Sequence, residues 1–186
     1  EAADALADDR LRATHRGYLA WAYTQPLQDP EEGYRQAMLA YEYAHRAGDL
    51  DQQGWARMYA GWAQRDLGGH EKQLTLSREA VELCRAAGDR EGLPQAIMLK
   101  AMALARLGRG AEAIAMFTET IGVLSSPETA PAPQPAQVST MVAYGGIAQI
   151  HLAAGRWEQS IEFGDQALRI ARQIGHRGQA ARFLLR

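Results

Sequence analysis

Apolar residues recur along the chain at helical rather than alternating intervals. Ala56, Ala60, Ala63 and Leu67 follow an i, i+4, i+7, i+11 spacing, and Leu76, Ala80, Leu83 and Ala87 repeat it one helix later. No segment reads as a strand. The helix ends are marked as plainly as the interiors. Asp29 before Pro30, with Glu32 three residues on, is an N-cap followed by proline at the first helical position, and Asp49 with Gln52 repeats the capping logic without the proline. Gly48, Gly68, Gly88, Gly108, Gly155 and Gly175 fall where helices stop, as expected of the residue that enters the left-handed region without a Cβ penalty. The pattern predicts helices over 3–23 and 30–47, 50–67 and 70–87, 92–107 and 110–124, and 137–154 and 157–174, with a truncated ninth over 177–186.

The helices come in repeating pairs. His45-Arg46-Ala47-Gly48-Asp49 recurs as Arg85-Ala86-Ala87-Gly88-Asp89, and Leu67-Gly68 recurs as Leu107-Gly108, both forty residues on. Gly108-Arg109 is echoed by Gly155-Arg156 after forty-seven. The extra residues belong to a proline-rich insertion over 125–136, where Pro127, Pro131, Pro133 and Pro135 read as an extended surface connection. Four units follow, over 3–47, 50–87, 92–124 and 137–174, in an all-α domain covering 1–186.

The fourth unit carries the clearest signature: Tyr144, Ile147, Ala148, His151, Gly155, Trp157, Ser160, Ile161, Gly164, Ala167 and Leu168. In order they supply aromatic, large, small, large, turn-glycine, aromatic, small, aliphatic, small and Ala-Leu sites. This resembles the tetratricopeptide repeat. The third unit matches through Ile97, Ala101, Leu104, Gly108, Ala113, Ile114 and Phe117, but has Lys100 at a large apolar site and Thr120 at the late alanine. The second matches through Gly61, Gly68, Leu74, Ala80 and Val81, with Arg57 at a large apolar site and Gln73 at a small one. In the first, Trp21 stands at the small crossing site and Gln25-Pro26-Leu27-Gln28 replaces the turn glycine. The resemblance implies a right-handed superhelical array of antiparallel helix pairs, an α-solenoid. The period is longer than the family's usual length of about 34 residues, and such extended repeats resemble the regulatory domains of bacterial signalling proteins.

Composition narrows the function. Twenty Lys and Arg against twenty-two Asp and Glu give a net charge of −2, which lacks the basic excess of a nucleic-acid binder. Lys100 and Arg106 interrupt the most apolar stretch, so no segment is expected to cross a membrane. Cys84 is the only cysteine, which excludes an intramolecular disulfide and a multi-cysteine zinc site. Its neighbours Val81, Leu83 and Ala87 predict an inert buried thiol. A reducing, cytoplasmic setting is expected. The chain opens on Glu1 and stops at Arg186 within a helical pattern, as a fragment of a longer protein would.

Reactive constellations are missing from the sequence. His15, His45, His70, His151 and His176 share no ligand spacing, and His151 occupies a packing site of the repeat. Gly145-Gly146 lacks the strand and the Gly-Lys-Ser/Thr of a phosphate loop, so close helix approach explains it. Asp8, Asp9, Glu31 and Glu32 complement helix dipoles. The chain is therefore read as non-catalytic, without cofactor or metal.

A surface remains. In the family it resembles, the first helix of each pair lines a concave groove, which assigns Tyr18, Trp55, Met58, Trp62, Arg65, Gln95, Met98, Met102, Arg106 and Gln149 to that groove. Trp55, Met58 and Trp62 form an apolar stripe opposite Ala56, Ala60 and Ala63, and a helix apolar all round must be covered by something. The expected partner is an apolar peptide or amphipathic helix, oriented by Arg65 and Arg106. The second expectation is self-association through Phe183 and Leu184, as a dimer serving an attached signalling enzyme or regulator.

Overall fold

The computed structural model describes residues 8–126 and 133–175. Asp8, Asp29 and Asp49 accept hydrogen bonds from backbone N–H groups one turn into the helices they cap, at 2.8 Å from Arg10, 3.1 Å from Glu32 and 3.1 Å from Gln52. Among the described residues there are eight helices: α1 (Asp9–Thr24), α2 (Pro30–Arg46), α3 (Leu50–Asp66), α4 (His70–Ala87), α5 (Gly92–Arg106), α6 (Gly110–Ser125), α7 (Pro133–Ala153) and α8 (Trp157–Gln173). There is no strand among the described residues. All six expected turn glycines have positive φ, between 66° and 77°. Where the first turn lacks a glycine, Gln28 takes the left-handed conformation at φ 53°.

Two ends depart from the pattern. α1 is described only from Asp9, and α7 starts at Pro133 rather than near residue 137. Proline is accepted in a first turn because the N–H it lacks has no intrahelical acceptor there, so the second half of the proline-rich insertion is helical. The ninth helix expected over 177–186, with Phe183 and Leu184, lies outside the described residues.

The contacts divide the chain into a unit up to Ala103 and one from Leu104. In the first, α1 packs on α2, α2 on α3, α3 on α4, and α1 also meets α3. Ala20, Ala37, Ala60 and Leu76 form a buried cluster with Tyr34, Met38 and Tyr59 packed on it. Small residues set the spacing. A Cβ on Gly33 would overlap the Thr24 hydroxyl, and one on Gly61 would stand 2.7 Å from Leu99 Cδ2. In the second unit α7 packs on α6 and α8. A Cβ on Gly146 would lie 2.5 Å from the buried Phe117 ring, which explains that glycine by helix approach.

Polar residues at packing sites find internal partners. The buried Gln73 donates from Nε2 to the Leu99 carbonyl at 3.2 Å, and the buried Thr120 hydroxyl donates to the Met116 carbonyl at 3.0 Å. Arg57 lies 3.5 Å above the Tyr41 ring and pairs with Glu79 at 2.7 Å. The half-buried His151 stacks on Phe163 at 5.5 Å and accepts a hydrogen bond from Arg156 Nε. The alignment of the first unit shifts by a residue. Trp21 is 48% exposed, and the small crossing residue is Ala20, fully buried against α2.

Candidate partner-binding face

Residues of α3 separate into two stripes with different neighbours. Gly54, Met58 and Gly61 follow i, i+4, i+7 toward α4 and α5, since a Cβ on Gly54 would meet Cys84 Sγ at 3.0 Å and one on Gly61 would meet Leu99. Met58 lies on this stripe and is 0% exposed, so it packs inside the unit and does not line an open groove. Trp55, Tyr59 and Trp62 follow the same interval on the other side. All three are half-buried, and their rings run as a continuous row, with centroids 5.9 Å and 5.6 Å apart. Tyr59 is the member that sequence reasoning missed. The signal was the helical period itself: Tyr59 sits at i+4 from Trp55, as near the stripe's axis as Met58 at i+3.

Against this row lies α1. Gly17 is buried and brings the α1 backbone to Tyr59, so that a Cβ there would stand 3.4 Å from Cε2 of the ring. Beside it Tyr18 is 67% exposed. Together Tyr18, Trp55 and Tyr59 line a cleft of about 300 Å³, completed by Thr14 and Gly17 of α1, Gln52 of α3 and Glu91 ahead of α5. That volume is at the small end of ligand sites and suits one side chain rather than a folded segment. Thus Tyr18 and Trp55 meet in one cleft.

The other expected residues are spread along the helices. Trp62 extends the row toward the C-terminal end of α3. Arg65 makes two hydrogen bonds to the neighbouring Asp66, at 2.7 Å and 3.0 Å. On α5, Gln95, Met98 and Met102 are half-buried, whereas Arg106 is exposed and falls in the second unit, as does the exposed Gln149 on α7.

Carboxylates gather at the N-terminal ends of α3 and α5. Burial, followed by repulsion from and a hydrogen bond with Asp89, pushes the Asp51 carboxyl up to about 6, and Asp49 and Glu91 add to the effect. Burial also pushes the Tyr59 hydroxyl up to about 12, so its ring is neutral in any physiological solution. The Cys84 thiol is fully buried and raised to about 12 by burial and by the charges of Asp89 and Asp51, which makes it unreactive. Among the described residues no group of three His, Cys, Asp or Glu side chains is placed to hold a metal ion. No helix of the described residues is long and apolar enough to cross a membrane.

No protein-family model and no curated protein matches the chain. Solved structures do. A Rap protein complexed with Competence and Sporulation Factor superposes with a TM-score of 0.83 at 16% identity, over 96% of this chain and 47% of that one. Aspartyl phosphate phosphatase F from Bacillus subtilis gives 0.77 at 16% identity, over 91% of this chain and 43% of the other. The signal transduction ATPase with a tetratricopeptide repeat sensor from Pyrococcus horikoshii gives 0.78 at 14% identity, over 96% of this chain and 27% of that one. The chain spans less than half the length of each of these three. At such identities the likeness concerns architecture alone, and together with the paired helices and turn glycines it establishes the fold as that of a tetratricopeptide-type helical repeat.

Proposed function

We propose that the chain is a non-catalytic scaffold that binds a peptide or a partner's helix on the α1–α3 face of its first unit, as the regulatory or sensory module of a larger signalling protein. The row Trp55–Tyr59–Trp62 carries this reading. It places three large rings on a face that the neighbouring helices leave partly open, with Tyr18 still more exposed beside it. Aromatic residues so placed are the side chains most enriched at binding hot spots, and they lose little entropy on contact. Similar architecture in a Rap protein complexed with Competence and Sporulation Factor and in the tetratricopeptide repeat sensor of a signal transduction ATPase supports the regulatory setting.

The test is selection of random peptides against the chain, followed by titration of the enriched sequences against wild type and Trp62→Ala. Truncation of a tryptophan that a ligand buries costs about 2 kcal/mol, so the variant binds about thirtyfold more weakly while keeping its helical circular dichroism. Enriched peptides that bind a folded Trp62→Ala chain with unchanged affinity would remove this face from the account.

A further inference from the structure

The cleft of Tyr18, Trp55 and Tyr59 has a chemistry more specific than an apolar groove. Three aromatic side chains and one carboxylate, Glu91, line it, and neither a guanidinium nor an ammonium group is among the lining residues. Elsewhere in the same unit the chain covers the three tyrosines of α2 with its own cations. Lys72 lies over Tyr34 at 4.3 Å, Arg57 over Tyr41 at 3.5 Å, and Arg46 over Tyr43 at 4.5 Å. Among the described residues no cation lies over Tyr18, Trp55 or Tyr59. The rings of the cleft therefore have no cation of the chain's own on them, and Glu91 at the cleft, in electrostatic contact with Asp51, which is hydrogen-bonded to Asp89, adds negative potential there.

We infer that this cleft receives the guanidinium or ammonium head of an arginine or lysine carried by the bound peptide, stacked among Tyr18, Trp55 and Tyr59 and paired with Glu91. This rests on the binding reading above and gives the ligand its charge. A cation is held there by two terms of the same sign, ring quadrupole and carboxylate, whereas a neutral apolar side chain gains only burial and an acidic one is repelled. Thr14 and Gln52 at the cleft offer neutral hydrogen-bonding groups beside the charge. The basic residue thus fixes the peptide's register, while Trp62 meets its apolar part.

The experiment takes peptides selected on the full chain, made with acetylated N-termini, and titrates them against wild type, Tyr18→Ala and Glu91→Gln. Both substituted residues are exposed, so both variants fold. The selected sequences are expected to share an arginine or lysine, and its replacement by neutral citrulline or norleucine weakens binding about fivefold or more. Each variant weakens the charged peptide; Glu91→Gln leaves the neutral peptide's affinity unchanged, and Tyr18→Ala weakens the neutral peptide less than the charged one. Selected peptides without a basic residue, or citrulline peptides that bind equally well, overturn the inference; if their binding still falls with Trp62→Ala, the binding face itself stands. Acetyl-arginine amide binding as tightly as the whole peptide would assign the cleft to a free small cation and overturn the peptide source. Failure of any peptide to enrich over an unrelated protein overturns both readings.

Discussion

Tyr34, Tyr41 and Tyr43 on α2 and the aromatic residues of α1 and α3 belong to one unit yet differ in what covers them. The cations over the α2 rings come largely from other helices: Arg12 of α1 over Tyr43, Arg57 of α3 over Tyr41, and Lys72 of α4 over Tyr34. Each contact ties α2 to a neighbour, and an ion pair from Asp9 of α1 to Arg46 of α2 at 3.5 Å adds to them. On the α1–α3 side the rings touch each other and border a cleft with no cation of the chain's own among its lining residues. Similar residue types thus serve cohesion on one side and, as proposed, recognition on the other.

The sharpest way to break that contrast is to remove a covered ring. Tyr41→Leu keeps the bulk of the side chain but exposes Arg57, whose guanidinium is largely desolvated between Tyr41 and Glu79. A loss of about 1–2 kcal/mol is expected, read as a lower urea midpoint at unchanged slope. Equal stability would mean that the covered rings do not hold the helices together.

The carboxylate end of the cleft gives a smaller, pH-dependent effect. Folding raises the Asp51 carboxyl from 3.8 to about 6, so the folded chain holds that proton more firmly than the unfolded one. The group therefore favours the fold most at low pH, and this contribution is lost as pH rises from about 4 through about 6. Asp51→Asn keeps a donor toward Asp89 and removes the charge. Because Asp51 remains partly solvated, its stabilisation above pH 7 is expected to stay below about 1 kcal/mol. The gain disappears near pH 4, and paired denaturation curves at the two pH values measure it. A constant gain at both would place its origin outside the charge cluster.

Smallest of all is the expected cost of an uncovered ring. Tyr18→Ala should change the urea midpoint by the equivalent of less than about 0.5 kcal/mol, because the side chain is mostly in water. A large loss would give Tyr18 a structural part and erase the contrast with Tyr41.

Much of the architecture was legible from local chemistry. Asp29 and Asp49 cap as their spacing to Glu32 and Gln52 requires, and the turn glycines take positive φ because few other residues do so without strain. The first pair was harder to read because its landmarks are atypical. Trp21 occupies an alignment position meant for a small residue, and Gln28 does a glycine's work in the turn. The site was legible only in part. Tyr18 and Trp55, both expected at the groove, line one cleft, whereas Met58, expected beside them, is buried and Tyr59 takes its place in the row.

The sequence by itself determined most of the helices, the Asp29 and Asp49 caps and the glycine turns, because each depends on residues within a turn or two of one another. Only the tertiary structure decided which of two adjacent stripes on α3 stays partly open. Met58 and Tyr59 are neighbours in sequence and both suit an apolar face. What separates them is the approach of α4 and α5 to Gly54 and Gly61 on one side, and of α1 through Gly17 on the other. Those approaches bring together residues far apart in the chain, and no local spacing encodes them.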